Sequence, residues 1–362
     1  MTKYHCTQCK RPYPEEFAYI CKHCGGLFDI DGDISFDPHK IEADLPGLWK
    51  YRHSFGLDAD APIVTLGEGG TPLHFAGAFG MQIGFKLEYL NPTGSFKDRL
   101  TAPEMSYLVS KGIKQAVEDS SGNAGASFAA YAGAAGIKGQ VYVPDYASGP
   151  KRKQIDAYGA EVIAVPGPRS AAARAVMEAV ENGAVYASHA YLPFGHVGLA
   201  TVVYEIYEQL GRAPGTIISP AGHGSLLLGI IYGFIALQNA GLVDQMPVFV
   251  GVQAAACAPL AAALEAKAGK SRQVLEGETY AEGVRVKDPV RGEALLELAD
   301  QYDIRFAAVE EDVILPGRDA LAKLGMYVEP TSAIVWDAIR QVAGQVPEPI
   351  VSILTGSGLK SG

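Results

Sequence analysis

The segment NPTGSFKDR, residues 91–99, follows the apolar run GFKLEYL and precedes a segment of helical length. Gly94 predicts a turn, and Ser95 is a suitable N-cap for the helix that follows. Lys97 then falls in the first helical turn, where the helix dipole and the nearby Arg99 disfavour its ammonium form. An amine in that state can act as a nucleophile and as a base. Taken alone, a lysine at a capped helix start is usually a solvated cation, and Lys97 becomes the candidate catalytic residue only together with the loops described below.

Outward from this loop, apolar runs alternate with segments of helical length. The predicted strands are Ile83–Leu87, Gln140–Val143, Val162–Val165, Thr216–Ser219, Val248–Val252 and Ile350–Leu354. The predicted helices are Ala124–Ala135, Ser170–Glu181, Leu199–Leu210, Leu226–Leu237, Asp312–Leu324 and Ser332–Val342. This alternation predicts parallel sheets with helices on both faces. Ligands bind such sheets at the carboxyl ends of the strands.

Length and composition narrow the classes of protein that the chain can be. Its 362 residues are enough for two domains, or three with a small module, and 48% of them are hydrophobic. A formal net charge of −10 argues against binding to nucleic acid. The most apolar run, Ser225 to Ala240, is too short to span a membrane, and the N-terminus lacks the apolar stretch of a signal peptide. We expect a cytoplasmic protein.

The chain divides into three stretches of different character. Residues 1–30 hold two cysteine pairs and predict a small module. Residues 31–60 contain Pro and Gly breaks and predict a linker and packing segment. Residues 61–362 carry the strand and helix pattern, which predicts two intertwined α/β subdomains, the smaller covering about 95–200.

The two cysteine pairs predict a metal site. Cys6 and Cys9 form one CxxC motif, and Cys21 and Cys24 form another. Four thiolates at this spacing can surround one Zn²⁺ and leave no open position, which is typical of a structural zinc ribbon. A redox pair or incidental thiols are the alternative interpretation. Cys257 lies in an Ala-rich segment and is expected to be a buried apolar residue.

Two further loops have the character of anion sites. SSGNAGAS, residues 120–127, opens an Ala-rich helix whose free backbone amides can hold a carboxylate. AGHGSLLLG, residues 221–229, follows a predicted strand and contains small residues that let the backbone approach a phosphate. Each loop alone is also compatible with an ordinary glycine turn before a helix.

Together with LTGSGLK at residues 354–360, these segments closely resemble the fold type II pyridoxal-phosphate (PLP) enzymes, and specifically the threonine synthase family. The resemblance extends from about Trp49 to Lys360, and a zinc ribbon also occurs in some relatives. It implies an α/β protein with the tryptophan synthase β-like fold, which has two three-layer parallel-sheet domains, and a small N-terminal zinc ribbon held by four cysteines.

The resemblance also implies roles for individual residues. The implied cofactor-binding residues are Lys97, Asn123, Gly222, His223, Gly224, Ser225, Leu226 and Thr355. The implied substrate-binding residues are Ser120, Ser121, Gly122 and Ala124, which hold the α-carboxylate. Lys97 carries the cofactor as a Schiff base, and Thr355 meets the pyridine nitrogen. A hydroxyl there leaves that nitrogen largely unprotonated, which favours elimination and replacement over transamination.

One departure from the family pattern concerns the substrate. Threonine synthases convert O-phosphohomoserine and water into threonine and phosphate, and usually carry an Asn-Pro-(Phe/Tyr)-Arg segment. Here residues 192–195 are LPFG, so Gly195 replaces an Arg that is expected to bind the substrate phosphate. Loss of such a cation should weaken substrate binding considerably. The candidate replacements are Lys151, Arg152, Lys153 and His196.

Two alternative functions stay open. The first is β-elimination or β-replacement on a serine- or threonine-like amino acid, by a dehydratase or another synthase. The second is a zinc-ribbon binding protein without catalysis, although Lys97, Asn123 and Thr355 argue against it. We expect a small amino-acid substrate, no nucleic-acid or membrane partner, and, by analogy with this fold, a homodimer.

Overall fold

The computed structural model describes residues 2–267, 269, 270, 272 and 274–361. These residues form two compact units. The first comprises the residues up to Gly69 together with Asn91–Gly198, and the second comprises Gly70–Leu90 and Leu199–Ser361. The three-part division made from the sequence stays a prediction.

The strands are β1 (Tyr4–Cys6), β2 (Phe28–Ile30), β3 (Leu73–Ala78), β4 (Met81–Lys86), β5 (Gln115–Glu118), β6 (Lys138–Pro144), β7 (Glu161–Val165), β8 (Thr216–Pro220), β9 (Val248–Ala254), β10 (Ile304–Val309) and β11 (Ile350–Ile353). The helices are α1 (Lys97–Ser110), α2 (Asn123–Ala135), α3 (Pro150–Ala157), α4 (Arg169–Glu181), α5 (His196–Leu210), α6 (Ser225–Asn239), α7 (Pro259–Glu265), α8 (Gly292–Leu298), α9 (Glu311–Lys323) and α10 (Pro330–Val342).

The first unit contains a three-stranded sheet in the order β5-β6-β7, and both pairings are parallel. Val117 of β5 also exchanges backbone hydrogen bonds with the segment 185–187, which runs parallel to it. The carboxyl ends of these strands therefore lie at one edge, where the loops into α2, α3 and α4 begin. A separate antiparallel pair, β1 with β2, belongs to the cysteine-rich segment.

The second unit contains a six-stranded sheet in the order β10-β9-β8-β11-β4-β3. Its pairings are parallel except that β3 runs antiparallel to β4. The two strands are joined by the tight turn at Phe79 and Gly80, both with positive φ, and a connection this short can only reverse the chain. Within this sheet, as far as the structure describes it, β3 is the difference from the predicted parallel arrangement.

The core of the second unit consists of strand side chains packed against α9 and α10. Helix α6 is apolar on nearly every side and is buried along most of its length. Such a helix needs other elements packed against every face, because it lacks the single apolar stripe of a surface helix. Among the residues that the structure describes, no helix combines the length and the apolarity needed to cross a membrane.

The elements predicted from the sequence are all present, with ends that differ by at most about three residues. The strands β1, β2, β3 and β10 and the short helices α3, α7 and α8 were not predicted. Strand β10 lies at the edge of its sheet, and its mixed burial gives neither a continuous apolar run nor strict alternation.

Candidate active site

The loop that leads to Lys97 is held by a carboxylate. Lys97 is the first residue of α1, and Gly94 has a φ of +85° in the turn closed by its N–H to the Asn91 carbonyl at 2.8 Å. Asp98, which is fully buried, accepts hydrogen bonds from the N–H of Thr93 at 2.7 Å and from its hydroxyl at 2.6 Å. The loop conformation before Lys97 is therefore fixed by the residue that follows it.

The prediction that Ser95 is the N-cap of α1 is wrong. Phe96 precedes the helix with helical φ and ψ, and its side chain does not cap the helix. Asp98 donates its N–H to the Ser95 carbonyl at 3.4 Å, so the chain is already turning before Lys97. Within the described part of the chain, the buried Ser95 hydroxyl has no hydrogen-bond partner. This polar atom is therefore available to a ligand.

The predicted carboxylate loop opens α2 within the same unit. Asn123 is the first residue of α2, and the N–H of Gly122 donates to Ser120 Oγ at 3.2 Å. The loop is so tight that a Cβ on Gly125 would overlap the Ser120 carbonyl. The backbone N–H groups of the first turn have no partner within the helix, and they give the loop the character of an anion site.

The structure joins this loop to the lysine loop through Asp98. Ser127, one turn into α2, donates its hydroxyl to Asp98 Oδ1 at 2.7 Å. The sequence interpretation did not include either residue. The available signal was an acidic residue in the first helical turn, a position from which a side chain can reach back to the preceding loop.

The predicted phosphate loop lies in the second unit, between β8 and α6. Gly224 is the N-cap of α6, with a φ of +95°. A Cβ on Gly222 would lie 2.6 Å from the Gly283 carbonyl oxygen, and one on Gly224 would lie 2.9 Å from Leu295 Cδ1. Both positions therefore require glycine. The loop presents the free N–H groups at the start of α6, which suit a phosphate.

Thr355 and Ser225 carry two of the buried hydroxyls that have no partner among the described residues of the second unit. Thr355 follows β11, and its N–H donates to Ser332 Oγ at 2.8 Å. Among the described residues, neither Thr355 Oγ1 nor Ser225 Oγ makes a hydrogen bond, although both side chains are buried. A buried hydroxyl without a partner costs about 1–3 kcal/mol, so a ligand is expected to satisfy it. A pyridine nitrogen at Thr355 and a phosphate at Ser225 fit these atoms.

The structure shows why position 195 carries glycine. A Cβ on Gly195 would overlap Leu100 Cγ of α1 and would lie 3.0 Å from Glu104 Oε1. The preceding Phe194 stacks on Tyr107 of the same helix, with ring centroids 3.6 Å apart. The space that an Arg side chain would need to enter is occupied by α1.

Among the candidate replacement cations, His196 is excluded. It is 1% exposed, and its Nδ1 lies 3.3 Å from Oδ1 of Asp29, the middle residue of β2. Its polar ring is thus committed to the N-terminal segment. Arg152 forms an ion pair with Asp156 one turn further along α3. Lys151 is half-buried and Lys153 is exposed.

Helix α3, which carries these basic residues, is tied to the lysine loop. Gln154 Nε2 donates to the Thr93 carbonyl at 3.0 Å. Helix α3 therefore contacts the loop before Lys97.

The four N-terminal cysteines form one cluster. Their Sγ atoms all lie within 4.8 Å of one another, with Cys6 to Cys24 at 3.5 Å and Cys9 to Cys21 at 3.7 Å. Tetrahedral zinc with Zn–S bonds of about 2.3 Å needs S–S distances of about 3.8 Å. A Cβ on Gly26 would lie 2.9 Å from Cys6 Sγ, so the turn after the second pair requires glycine. This donor set fits zinc.

Comparison with known proteins places the chain in a family. Residues 64–356 match the family model described as "Pyridoxal-phosphate dependent enzyme". The chain is 31% identical to the threonine synthase of Methanocaldococcus jannaschii over 98% of its own length and 92% of that protein. It is 33% identical to the threonine synthase of a Synechocystis species, covering 86% of this chain and 82% of that one.

Two solved structures share the fold. One is a threonine deaminase from T.th., with a TM-score of 0.70 and 26% identity over 79% of this chain and 92% of that chain. The other is maize serine racemase, with a TM-score of 0.70 and 22% identity over 80% and 88% of the two chains. These similarities confirm the fold class predicted from the sequence. The chain therefore belongs to the family of pyridoxal-phosphate dependent enzymes that includes these threonine synthases.

Proposed function

We propose that this protein is a PLP-dependent lyase that converts O-phosphohomoserine and water into threonine and phosphate. The observation that carries the proposal is Lys97 at the start of α1, in a loop fixed by Asp98 and matching the cofactor-lysine motif of this family. The relatives that match nearly the whole chain are threonine synthases, which supports this substrate.

Each proposed role follows from a local feature of the chain. PLP, when bound, supplies an electron sink for the substrate's α-carbon. Lys97 would attach the cofactor, and its amine would move protons at the substrate carbons. Thr355 would hold the ring nitrogen through its hydroxyl, which has no partner among the described residues, and Asn123 would contact the ring. The residues proposed to hold the cofactor phosphate are Gly222, His223, Gly224, Ser225 and Leu226.

The substrate carboxylate is assigned to the start of α2. The residues proposed to hold it are Ser120, Ser121, Gly122 and Ala124, whose loop leads into the first turn of α2, where backbone N–H groups have no partner within the helix. Ala124 replaces a hydroxyl that is common in the family, so backbone donors must supply more of the binding there.

The substrate's own phosphate needs a cation other than one at position 195. We assign it to Lys151 at the start of α3 and to Arg169 at the start of α4. Both follow strands of the β5-β6-β7 sheet at its carboxyl edge. The charge of Arg169 lowers the pKa of Glu118, the residue that closes β5, although burial has the larger, opposite effect. Arg169 is exposed and can therefore move to meet an anion.

The test compares Lys97→Ala with Lys111→Ala, a change of the exposed lysine that ends the same helix. We expect the native chain and Lys111→Ala to release phosphate from O-phosphohomoserine, and Lys97→Ala to release none. Hydride reduction followed by peptide mass spectrometry should find the cofactor on Lys97. Turnover by Lys97→Ala, or a cofactor adduct on another peptide, would overturn the assignment.

A second function has support from one specific observation. The packing around Gly195 leaves no room for the usual phosphate-binding Arg, and one similar structure is a threonine deaminase. An enzyme that eliminates water from threonine or serine needs no such cation. Formation of a 2-oxo acid from threonine, with no phosphate release from O-phosphohomoserine, would favour this function over the first.

We also propose that the four-cysteine cluster binds one structural Zn²⁺. The sulfur positions and the glycine turn support this assignment. Metal analysis of the purified chain should find about one zinc per chain, and a Cys9→Ser, Cys21→Ser double variant should lose it. A homodimer and a cytoplasmic location stay predictions.

A further inference from the structure

The cysteine-rich segment, residues 2–30, packs against helix α1 through aromatic rings. Tyr13, which lies between the two cysteine pairs, and Tyr4 of β1 both meet the ring of Phe194 edge-on, with centroids 5.1 and 5.0 Å away. Phe194 in turn stacks on Tyr107 of α1 at 3.6 Å. Aromatic pairs in these geometries attract each other beyond the apolar area that they bury. A continuous group of rings therefore connects the cysteine-rich segment to α1.

A polar contact ties the cysteine-rich segment to the same region. Oδ1 of Asp29, in β2, lies 3.3 Å from Nδ1 of His196, and both side chains are at most 5% exposed. A buried polar group is costly unless it keeps its partner, so this contact favours one relative position of β2 and residue 196. The proposed chemistry uses neither residue.

Helix α1 needs support from outside near its first turn. It begins at Lys97 and contains Pro103 in its interior. Proline has no N–H, so the helical hydrogen bond from residue 103 to the Arg99 carbonyl cannot form. A helix that lacks this bond two residues after the proposed cofactor lysine opens more easily there.

The segment 194–198 supplies this support. A Cβ on Gly198 would overlap the Arg99 carbonyl oxygen and would lie 2.9 Å from Pro103 Cγ. The backbone at Gly198 therefore lies directly against α1 at the place where the proline removes a bond. Because this segment begins with Phe194, the rings of the cysteine-rich segment hold it against the helix.

We propose that the cysteine-rich segment, with its metal bound, holds the segment 194–198 against α1, so that metal occupancy controls how firmly Lys97 is positioned. This inference rests on the proposed function, in which Lys97 carries the cofactor and the four cysteines bind zinc. It gives the cysteine-rich segment a role within its own chain, in place of binding a separate partner.

The metal matters because the cysteine-rich segment has little core of its own. Strands β1 and β2 have three residues each. The buried apolar cluster consists of Cys6, Ala18, Cys21 and Phe28, and two of these four are proposed zinc ligands. A segment this small folds through its metal. Tyr13 meets Phe28 edge-on at 4.7 Å, so loss of the metal disturbs the ring that supports α1.

Hydrogen exchange of the full-length chain, free of cofactor and followed by peptide mass spectrometry, tests this support. We expect removal of zinc by a chelator to speed exchange in peptides of α1 by about tenfold, because two aromatic contacts at Phe194 lose their geometry. Peptides of α10, in the core of the second unit, should change far less. An unchanged rate in α1 would overturn the proposal. So would an equal increase in α10, because the metal would then stabilise the chain as a whole.

Substitutions separate the ring contacts from the metal. In zinc-loaded Tyr13→Leu, peptides of α1 should exchange nearly as fast as in the chelated native chain, and a chelator should add little. Phe194→Leu repeats the test from outside the cysteine-rich segment, where the metal site is unaltered. The control Tyr146→Leu changes a tyrosine that is 66% exposed and should follow the native chain. A full effect of the chelator in both ring variants would overturn the route through Phe194.

The link to Lys97 is tested by the reverse effect. Coupling between two sites is reciprocal, so cofactor bound at Lys97 should tighten zinc binding by about fivefold or more. Competition with a chelator measures this affinity in the native chain, in Tyr146→Leu, which should show the same gain, and in Phe194→Leu, which should lose it. Equal zinc affinity with and without cofactor, in a chain whose adduct on Lys97 is verified, would overturn the link.

Failure of this inference is distinguishable from failure of the proposed function. Hydrogen exchange needs neither substrate nor cofactor. A missing cofactor adduct on Lys97 would remove the proposed function and leave the exchange result standing. A normal adduct, with exchange in α1 that does not depend on the metal, would remove only the supporting role of the cysteine-rich segment.

Discussion

Replacement of Glu118 or of His189 should reveal a pH dependence of stability that the intact pair conceals. Glu118 ends β5, and one of its carboxylate oxygens lies 2.9 Å from Nδ1 of His189. Burial raises the pKa of Glu118 from 4.5 to about 7 and lowers that of His189 well below 6.5. Between about pH 5 and 6.5, the unfolded chain carries the proton on His189, and the folded chain carries it on Glu118. The folded and unfolded chains both bind about one proton at this pair, so the intact pair makes the free energy of unfolding change little with pH.

The two variants should show slopes of opposite sign. His189→Asn leaves Glu118, whose folded state binds more protons than its unfolded state from pH 4.5 to about 7. The free energy of unfolding then falls as the pH rises through this window, by about 3 kcal/mol in total. Glu118→Gln leaves His189, which binds its proton mainly in the unfolded chain. The free energy of unfolding then rises with pH towards 6.5, by roughly 1 kcal/mol per pH unit.

Equilibrium urea unfolding of the full chain at a series of pH values measures both slopes. Trp49 is fully buried in the same unit and reports its unfolding by fluorescence. Each slope is taken relative to the native chain, so that the many other carboxyl groups cancel. Glu161→Gln, at the exposed amino end of β7, serves as the control and should follow the native chain. Slopes of the same sign in the two variants, or two flat profiles, would refute the proton exchange within the pair.

The remaining predictions concern packing, charge and the metal. In urea unfolding, Gly195→Ala should lower the free energy of unfolding by about 1–3 kcal/mol, because the added Cβ overlaps a leucine of α1. The control Gly77→Ala has open space around the added Cβ and should change the free energy of unfolding by about 0.5 kcal/mol or less. Lys86→Met should lower the free energy of unfolding by about 3–5 kcal/mol. The lysine contacts the buried carboxylate of Glu205 at 2.6 Å, and its loss leaves that charge without its ion-pair partner. Arg305→Gln breaks an exposed ion pair and serves as the control. It should lower the free energy of unfolding by about 1 kcal/mol or less in the same assay. Removal of the proposed zinc by a chelator should lower the melting temperature measured by calorimetry, and readdition of zinc should restore it; an unchanged melting temperature would argue against a structural metal.

Much of the fold could be predicted because apolar runs and turn residues carry local information. The strands β8, β9 and β11 are buried throughout, so their composition alone identified them. Strand β10 and the reversal at β3 depend on position in the sheet and on a short turn, and a linear pattern does not encode either.

In the candidate site, too, the features set by local sequence were predictable and the long-range contacts were not. The glycines of the phosphate loop and the lysine loop were identifiable from the sequence, since their backbone requirements are local. The bonds that fix the site are not local: His189 meets Glu118 across 71 positions, and Ser127 meets Asp98 across 29. The substitution at position 195 was visible in the sequence, but its cause was not, because Leu100 reaches that position only through folding.

Helix α1 explains why a phosphate-binding Arg and this packing exclude each other. Its first turn is fixed by Asp98, while its later turns are covered by Phe194 and leave no space at Gly195. Phe194 is in turn packed edge-on against Tyr13 of the cysteine-rich segment, at a centroid distance of 5.1 Å. An Arg at position 195 would therefore disturb the support of the helix that carries Lys97. An anionic substrate would then need a cation elsewhere, which is why the proposed function assigns its phosphate to the basic residues that follow β6 and β7.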